Sequence, residues 1–338
     1  MKKLNFILLI ISIIIYLVIK SQNIDGDKAY ESLFQYINGF DTFIPFTIGQ
    51  GYPSIPLWLH YVFSNKLGLN YNISHSILGI TYIFNVLSLI SNAETNLSRK
   101  NKIIFKLTFI VFFIFGEFGL TLILSAEKML LALIFFILAI KSHLKNMNKL
   151  KYFYYILSLS THLTMIITIF LLDYKLINKI ISKFLQDLSQ LKVKVFSLFT
   201  LLVISIIGFI SLDTITTKLF GLLRNADGLL SNKDVIKGEG TGNLSYLLIT
   251  TCVFLLFYIM TKLNLKNIYL SLITMIPVFI RIPLGRIAWL YTFALFITPI
   301  FDTKKIYNEN IFIIFSSLIT IYYLYKSLII FQNNCLFC

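Results

Sequence analysis

Charge is scarce in this chain. Asp, Glu, Lys and Arg make up 13% of its 338 residues, about half the roughly 25% usual in a soluble globular domain. With 57% hydrophobic residues and a mean hydropathy of +0.81, that shortage excludes a soluble protein and identifies an integral membrane one. Acidic residues are the rarer kind, 15 against 30 basic ones, for a net charge of +15. No basic stripe on a soluble domain goes with the surplus, so nucleic acid is excluded as a partner. In a multi-span protein such a surplus belongs to cytoplasmic loops. Three cysteines are too few for a disulfide scaffold, and Cys335-x-x-Cys338 has no second pair to complete a metal or redox motif. Also missing are H-E-x-x-H, G-x-S-x-G and Walker A patterns and any internal repeat. The expected cofactor is therefore none, and so is the expected metal.

What is present is a series of apolar runs. Those long enough to cross a bilayer lie near 4–20, 73–91, 103–122, 195–212, 245–261 and 311–330, with shorter ones at 126–140, 267–280 and 287–301. Residues 53–68, rich in Pro and aromatics, and 152–172, interrupted by Ser158, Ser160, Thr161, His162 and Thr164, are ambiguous. The fold expected is all-α: a polytopic membrane protein of about nine transmembrane helices (range 9–11), one transmembrane domain over 1–338. Met1 to Lys20 has a basic start, a long apolar run and no small-residue cleavage site, so it reads as an uncleaved first span.

Loop charges set the orientation. Lys2 and Lys3 place the N-terminus in the cytoplasm, and the acidic segment 21–52 (Asp25, Asp27, Glu31, Asp41) becomes the first extracytoplasmic loop. If both ambiguous segments crossed, Arg99, Lys100 and Lys102 would lie outside, as would Lys141, Lys145, Lys149 and Lys151. Nine crossings, with 53–68 and 152–172 re-entrant or interfacial, keep both clusters inside. Irregular backbone at membrane depth is tolerated where it lines a cavity. Residues 173–194 form a cytoplasmic amphipathic segment and 213–244 a large extracytoplasmic loop. Either count puts Arg281 and Arg286 on the outside.

The candidate chemistry follows from cost. Charges in hydrocarbon are expensive and usually line a polar site. Arg281 and Arg286 flank a Pro-Gly turn between two spans, and their guanidinium forks match phosphate bidentately. Arg286 is the stronger of the two because it begins a span, with Tyr291 about one turn further in. His162, in Leu-Ser-Thr-His-Leu-Thr, and Glu117, between Gly116 and Gly119 in an apolar run, are the candidate general bases. Glu127-Lys128 reads as a cap on a tight helical hairpin. His60, His75 and His143 sit in an uncertain segment or near loop ends and take no role. Asp25 and Asp27 with Tyr30 and Tyr36 supply the acceptors and rings of a sugar-binding surface. Arg224, in the loop 213–244, is a further candidate for binding substrate under a lid.

This layout resembles the bacterial polysaccharide polymerases of the O-antigen polymerase (Wzy) and EpsG-like type. The resemblance rests on the Asp/Tyr-bearing first outer loop and aromatic stretch from Asp25 to Tyr61. It continues in the hairpin at Glu127-Lys128, the Ser-Thr-His segment at His162 and the outward Arg286 leading into an aromatic span to Phe301. EpsG-like members tend to carry an Arg at the hairpin tip, where this chain has Glu127-Lys128. What the resemblance implies is a transferase of the bacterial inner (plasma) membrane. It would join undecaprenyl-diphosphate-linked repeat units into O-antigen, capsule or exopolysaccharide on the extracytoplasmic face, without nucleotide sugars. Its partners would be the lipid-linked glycan and the bilayer, with a chain-length regulator as an optional third. Arg286 and Arg281 would neutralise the diphosphate, with Tyr291, Arg224, Asp25, Asp27 and Lys128 binding substrate and His162 or Glu117 taking the proton. A polysaccharide flippase would favour inverted repeats, and none is visible. A membrane O-acetyltransferase would want its basic residues on the acyl-CoA side, whereas these arginines face out.

Overall fold

The computed structural model describes residues 2–22, 59, 61–93, 95, 97–124, 127–162, 165–173, 284–301 and 308–333. Every regular element among them is helical. The described residues up to Leu172 and from 284 onward belong to one compact unit. The helices are α1 (Lys2–Lys20), α2 (Tyr71–Asn92), α3 (Arg99–Ile110), α4 (Glu117–Leu124), α5 (Glu127–Leu144), α6 (Asn148–Thr161), α7 (Met165–Leu172), α8 (Leu284–Phe301) and α9 (Glu309–Asn333). Three stretches, Lys3–Lys20, Tyr71–Asn92 and Glu309–Gln332, are long and apolar enough to cross a membrane. A fourth is reached if Arg99–Phe115 and Glu117–Leu124 are one span bent by 40°. The expected runs 195–212, 245–261 and 267–280, the segment 173–194 and the loops 21–52 and 213–244 lie outside the described residues, apart from Ser21, Gln22 and Asp173.

The bend has a local cause. Residues Val111–Phe115 form a π-helical turn, and Gly116 then takes extended backbone (φ −70°, ψ 162°) with its N–H donated to the Val111 carbonyl at 2.7 Å. A helix broken inside an apolar core frees carbonyls that need donors. Tyr82 on α2 meets this need, its hydroxyl donating to the Phe113 carbonyl at 3.0 Å. Gly119 closes the turn: a Cβ there would run into the Phe113 backbone, so only glycine fits. The run 103–122, expected as one span, is thus two helices meeting at Gly116.

Aromatic packing around this break forms the core. Phe105, Phe109, Phe112, Phe113, Phe118, Phe293, Phe296 and Tyr323 are wholly buried. Phe112 stacks on Phe118 and Phe296 with centroids 5.1 and 4.9 Å apart, geometry worth about 0.5–1.5 kcal/mol per pair beyond its area. The pairs also fix direction. Phe105–Phe296 and Phe118–Trp289 make α3–α4 antiparallel to α8. Phe136–Phe293 and His143–Phe301 make α5 parallel to α8. The bond from Asn101 to Glu309 and the contact of Phe112 with Tyr323 make α9 parallel to α3.

These directions give the bundle two unlike ends. Arg99, Lys100, Lys102, Lys141, Lys145, Lys149 and Lys151 all come to one end, where Lys151 lies 6.0 Å from the Phe301 ring. The other end gathers the start of α2, the end of α4 and the starts of α5 and α8. The two basic clusters share one end, as the cytoplasmic face of a membrane protein would show, while Lys128 lies at the other. The segment 152–172 divides between α6 and α7. Helix α6 runs antiparallel along α5, with Ser158 Oγ donating to the Ala132 carbonyl at 2.8 Å and Tyr155 stacked on Phe136. At His162 the backbone turns extended (φ −149°, ψ 106°) before α7, which packs on α8.

Candidate functional site

At the end away from the two basic clusters, two side chains of α2 converge on one carboxylate oxygen of α5. Asn70 starts α2 by accepting from the Ile73 N–H at 2.9 Å, which puts Tyr71 and His75 one turn apart on the same face. Glu127 is the first residue of α5. The Tyr71 hydroxyl donates to Glu127 Oε1 at 2.6 Å, and His75 Nδ1 lies 2.6 Å from the same oxygen. Across the ring, His75 Nε2 lies 2.8 Å from the Ile123 carbonyl, in the last turn of α4. Glu127 is 0% exposed and His75 3% exposed, while Tyr71 is partly open.

The cluster gives the carboxylate polar partners on several sides. The start of a helix carries a partial positive charge and its end a partial negative one. Glu127 sits at the first kind of position and the His75 Nε2 at the second. A carbonyl in the last turn of a helix also lacks an intrahelical donor, which Nε2–H supplies. The Tyr71 O–H is a further donor to the carboxylate.

The sequence reads Glu127 as a hairpin cap and gives His75 no role; the structure begins α5 at Glu127 and joins its carboxylate to His75. They lie 52 positions apart in sequence, so no local pattern joins them. One signal was available: the orientation read from loop charges puts the start of α2 and the start of α5 at the same end.

The other expected residues fall as follows. Glu117 begins α4, partly buried, near Tyr323. Lys128 is partly buried and follows Glu127 on α5. His162 is partly buried at the end of α6; its N–H donates to the Ser158 carbonyl and its carbonyl accepts from the Met165 N–H. The antiparallel register that pairs Ser158 with Ala132 carries His162 to the level of the first turn of α5. Arg286 and Tyr291 lie on α8, where the helical repeat puts position 286 on the face of Trp289 and Phe293; their side chains are outside what is described. Trp289 packs edge-on to Phe118, next to Glu117, with centroids 5.8 Å apart. Arg281, Arg224, Asp25 and Asp27 lie outside the described residues.

Glu117, Glu127, Lys128, His162 and the start of α8 therefore belong to the half of one bundle away from the Arg99–Lys102 and Lys141–Lys151 clusters, while Tyr71 and His75 join them from α2. Among the described residues no group of three or more His, Cys, Asp or Glu could hold a metal ion. The chemistry on offer is acid–base chemistry from a buried carboxylate, next to a helix that opens on an arginine. No protein-family model matches the chain, and neither a curated protein nor a solved structure is similar to it.

Proposed function

We propose that the chain is a membrane glycan polymerase that joins repeat units carried on undecaprenyl diphosphate at the extracytoplasmic face of the plasma membrane. The observation that carries this reading is the Glu127 carboxylate, fully buried yet held by Tyr71 and His75 at the end of the bundle away from the Arg99–Lys102 and Lys141–Lys151 clusters. In the orientation that the basic loops favour, that end faces outward. Glycosyl transfer from a lipid diphosphate needs a base for the acceptor hydroxyl and positive charge for the departing diphosphate. Glu127 suits the first task better than His162 or Glu117, because Tyr71 and His75 both hold its carboxylate at 2.6 Å. Arg286, in the first turn of α8, suits the second. The reaction leaves lipid diphosphate on one carrier and a longer glycan on the other.

A transporter for the same lipid-linked glycan is the second reading, favoured by the break at Gly116, since discontinuous helices build many transport sites. Deleting the gene and resolving surface and carrier-bound glycans on gels separates the two. The polymerase reading expects single repeat units on the carrier and at the surface. A transporter would leave lipid-linked material trapped inside. Arg286→Ala should reproduce the deletion pattern; full-length polymer in that variant removes the arginine from the proposal.

A further inference from the structure

Proton bookkeeping around His75 goes further than naming a base. The Ile123 carbonyl has no proton to give, so the 2.8 Å contact requires His75 Nε2 to carry one. Tyr71 uses its own hydroxyl proton toward Glu127 Oε1. The 2.6 Å gap between His75 Nδ1 and that same oxygen then contains a single proton, shared by imidazole and carboxylate. His75 cannot offer Nε2 to a substrate, and Nδ1 is occupied, so the ring does not itself reach a reacting group. Glu127 is closed off at 0% exposure. Tyr71 is partly open and is the first residue of α2, directly after the described stretch that leads in from Tyr61. Its ring lies 5.7 Å from that of His75.

We propose that Tyr71, Glu127 and His75 form a proton relay in which Tyr71 is the contact with substrate, Glu127 the acceptor and His75 the positioning residue. An incoming hydroxyl gives its proton to the Tyr71 oxygen as the Tyr71 proton passes to Glu127 Oε1. The freed oxygen then bonds to the sugar carbon, and the bond from that carbon to the diphosphate breaks, with its electron pair leaving on the diphosphate. The relay returns to its starting state when Tyr71 passes a proton back outward. Identifying the hydroxyl as a glycan's rests on the polymerase reading; the shared proton and the Tyr71 outlet do not.

The test uses full-length protein in lipid nanodiscs with ¹⁵N-labelled histidine, the His75 signals being identified by their loss in His75→Gln. The relay expects Nε2 to be protonated, and a strongly downfield proton on Nδ1 that disappears in Glu127→Gln. It also expects exchange of that proton with deuterated solvent to slow in Tyr71→Phe, with the downfield signal retained. In parallel, elongation of lipid-linked repeat units should fall about a hundredfold in Tyr71→Phe, the scale of a lost proton-transfer group. An unprotonated Nε2, no downfield proton, or exchange unchanged by Tyr71→Phe overturns the relay. If the proton signals and the slowed exchange are found while wild-type protein elongates nothing, the relay stands and the polymerase reading falls.

Discussion

At the scale of single residues, the pair His75–Glu127 shows what burial does to an interaction. Hydrogen bonds to charged groups contribute about 1.5–3 kcal/mol, but removing one partner of a buried pair costs about 3–5 kcal/mol, because the other is left without compensation. His75→Leu and Glu127→Leu should each destabilise the protein by about that much, whereas the double variant should cost far less than their sum. Thermal or denaturant unfolding in detergent measures all three. Additive losses would mean that the two side chains do not act on each other. The pairing was not legible in the sequence, because a contact spanning 52 positions leaves no periodic trace. Glu127 next to Lys128 looked like a cap, and position 127 does begin a helix. What escaped was the neighbour that α2 brings to it.

At the scale of elements, apolar runs were reliable guides. The runs 4–20, 73–91 and 311–330 became Lys2–Lys20, Tyr71–Asn92 and Glu309–Asn333, since about twenty apolar residues in lipid have little alternative to a helix. The shorter run 126–140 became Glu127–Leu144, lengthened at its polar end by Lys141 and His143. The break in 103–122 was missed although its residues were in view. Gly116-Glu117-Phe118-Gly119 was read as an isolated charge between glycines, and the physical reason for both glycines is the turn itself. Gly119→Ala would press a Cβ into the Phe113 backbone, an overpacking that costs about 1–3 kcal/mol. It should lower the melting temperature, although alanine is the better helix former. An unchanged or raised melting point would show that the turn at Gly116 is not closed in this way.

At the scale of the molecule, the two ends of the bundle connect fold to activity. Loop charges predicted that the lysine clusters share one side, and the described helices bring them there. The number of crossings is legible only in part, because three of the apolar runs fall outside the described residues. A base for glycosyl transfer at the Glu127 end of the bundle is tested most directly by elongation in a defined system. Purified protein in liposomes, supplied with undecaprenyl-diphosphate-linked repeat units, should convert them to a ladder of longer chains. Glu127→Gln keeps the shape and loses the base, so its rate should fall about a hundredfold or more while the protein remains folded. A ladder formed by Glu127→Gln at the wild-type rate, or no ladder from the wild-type protein, would contradict the account.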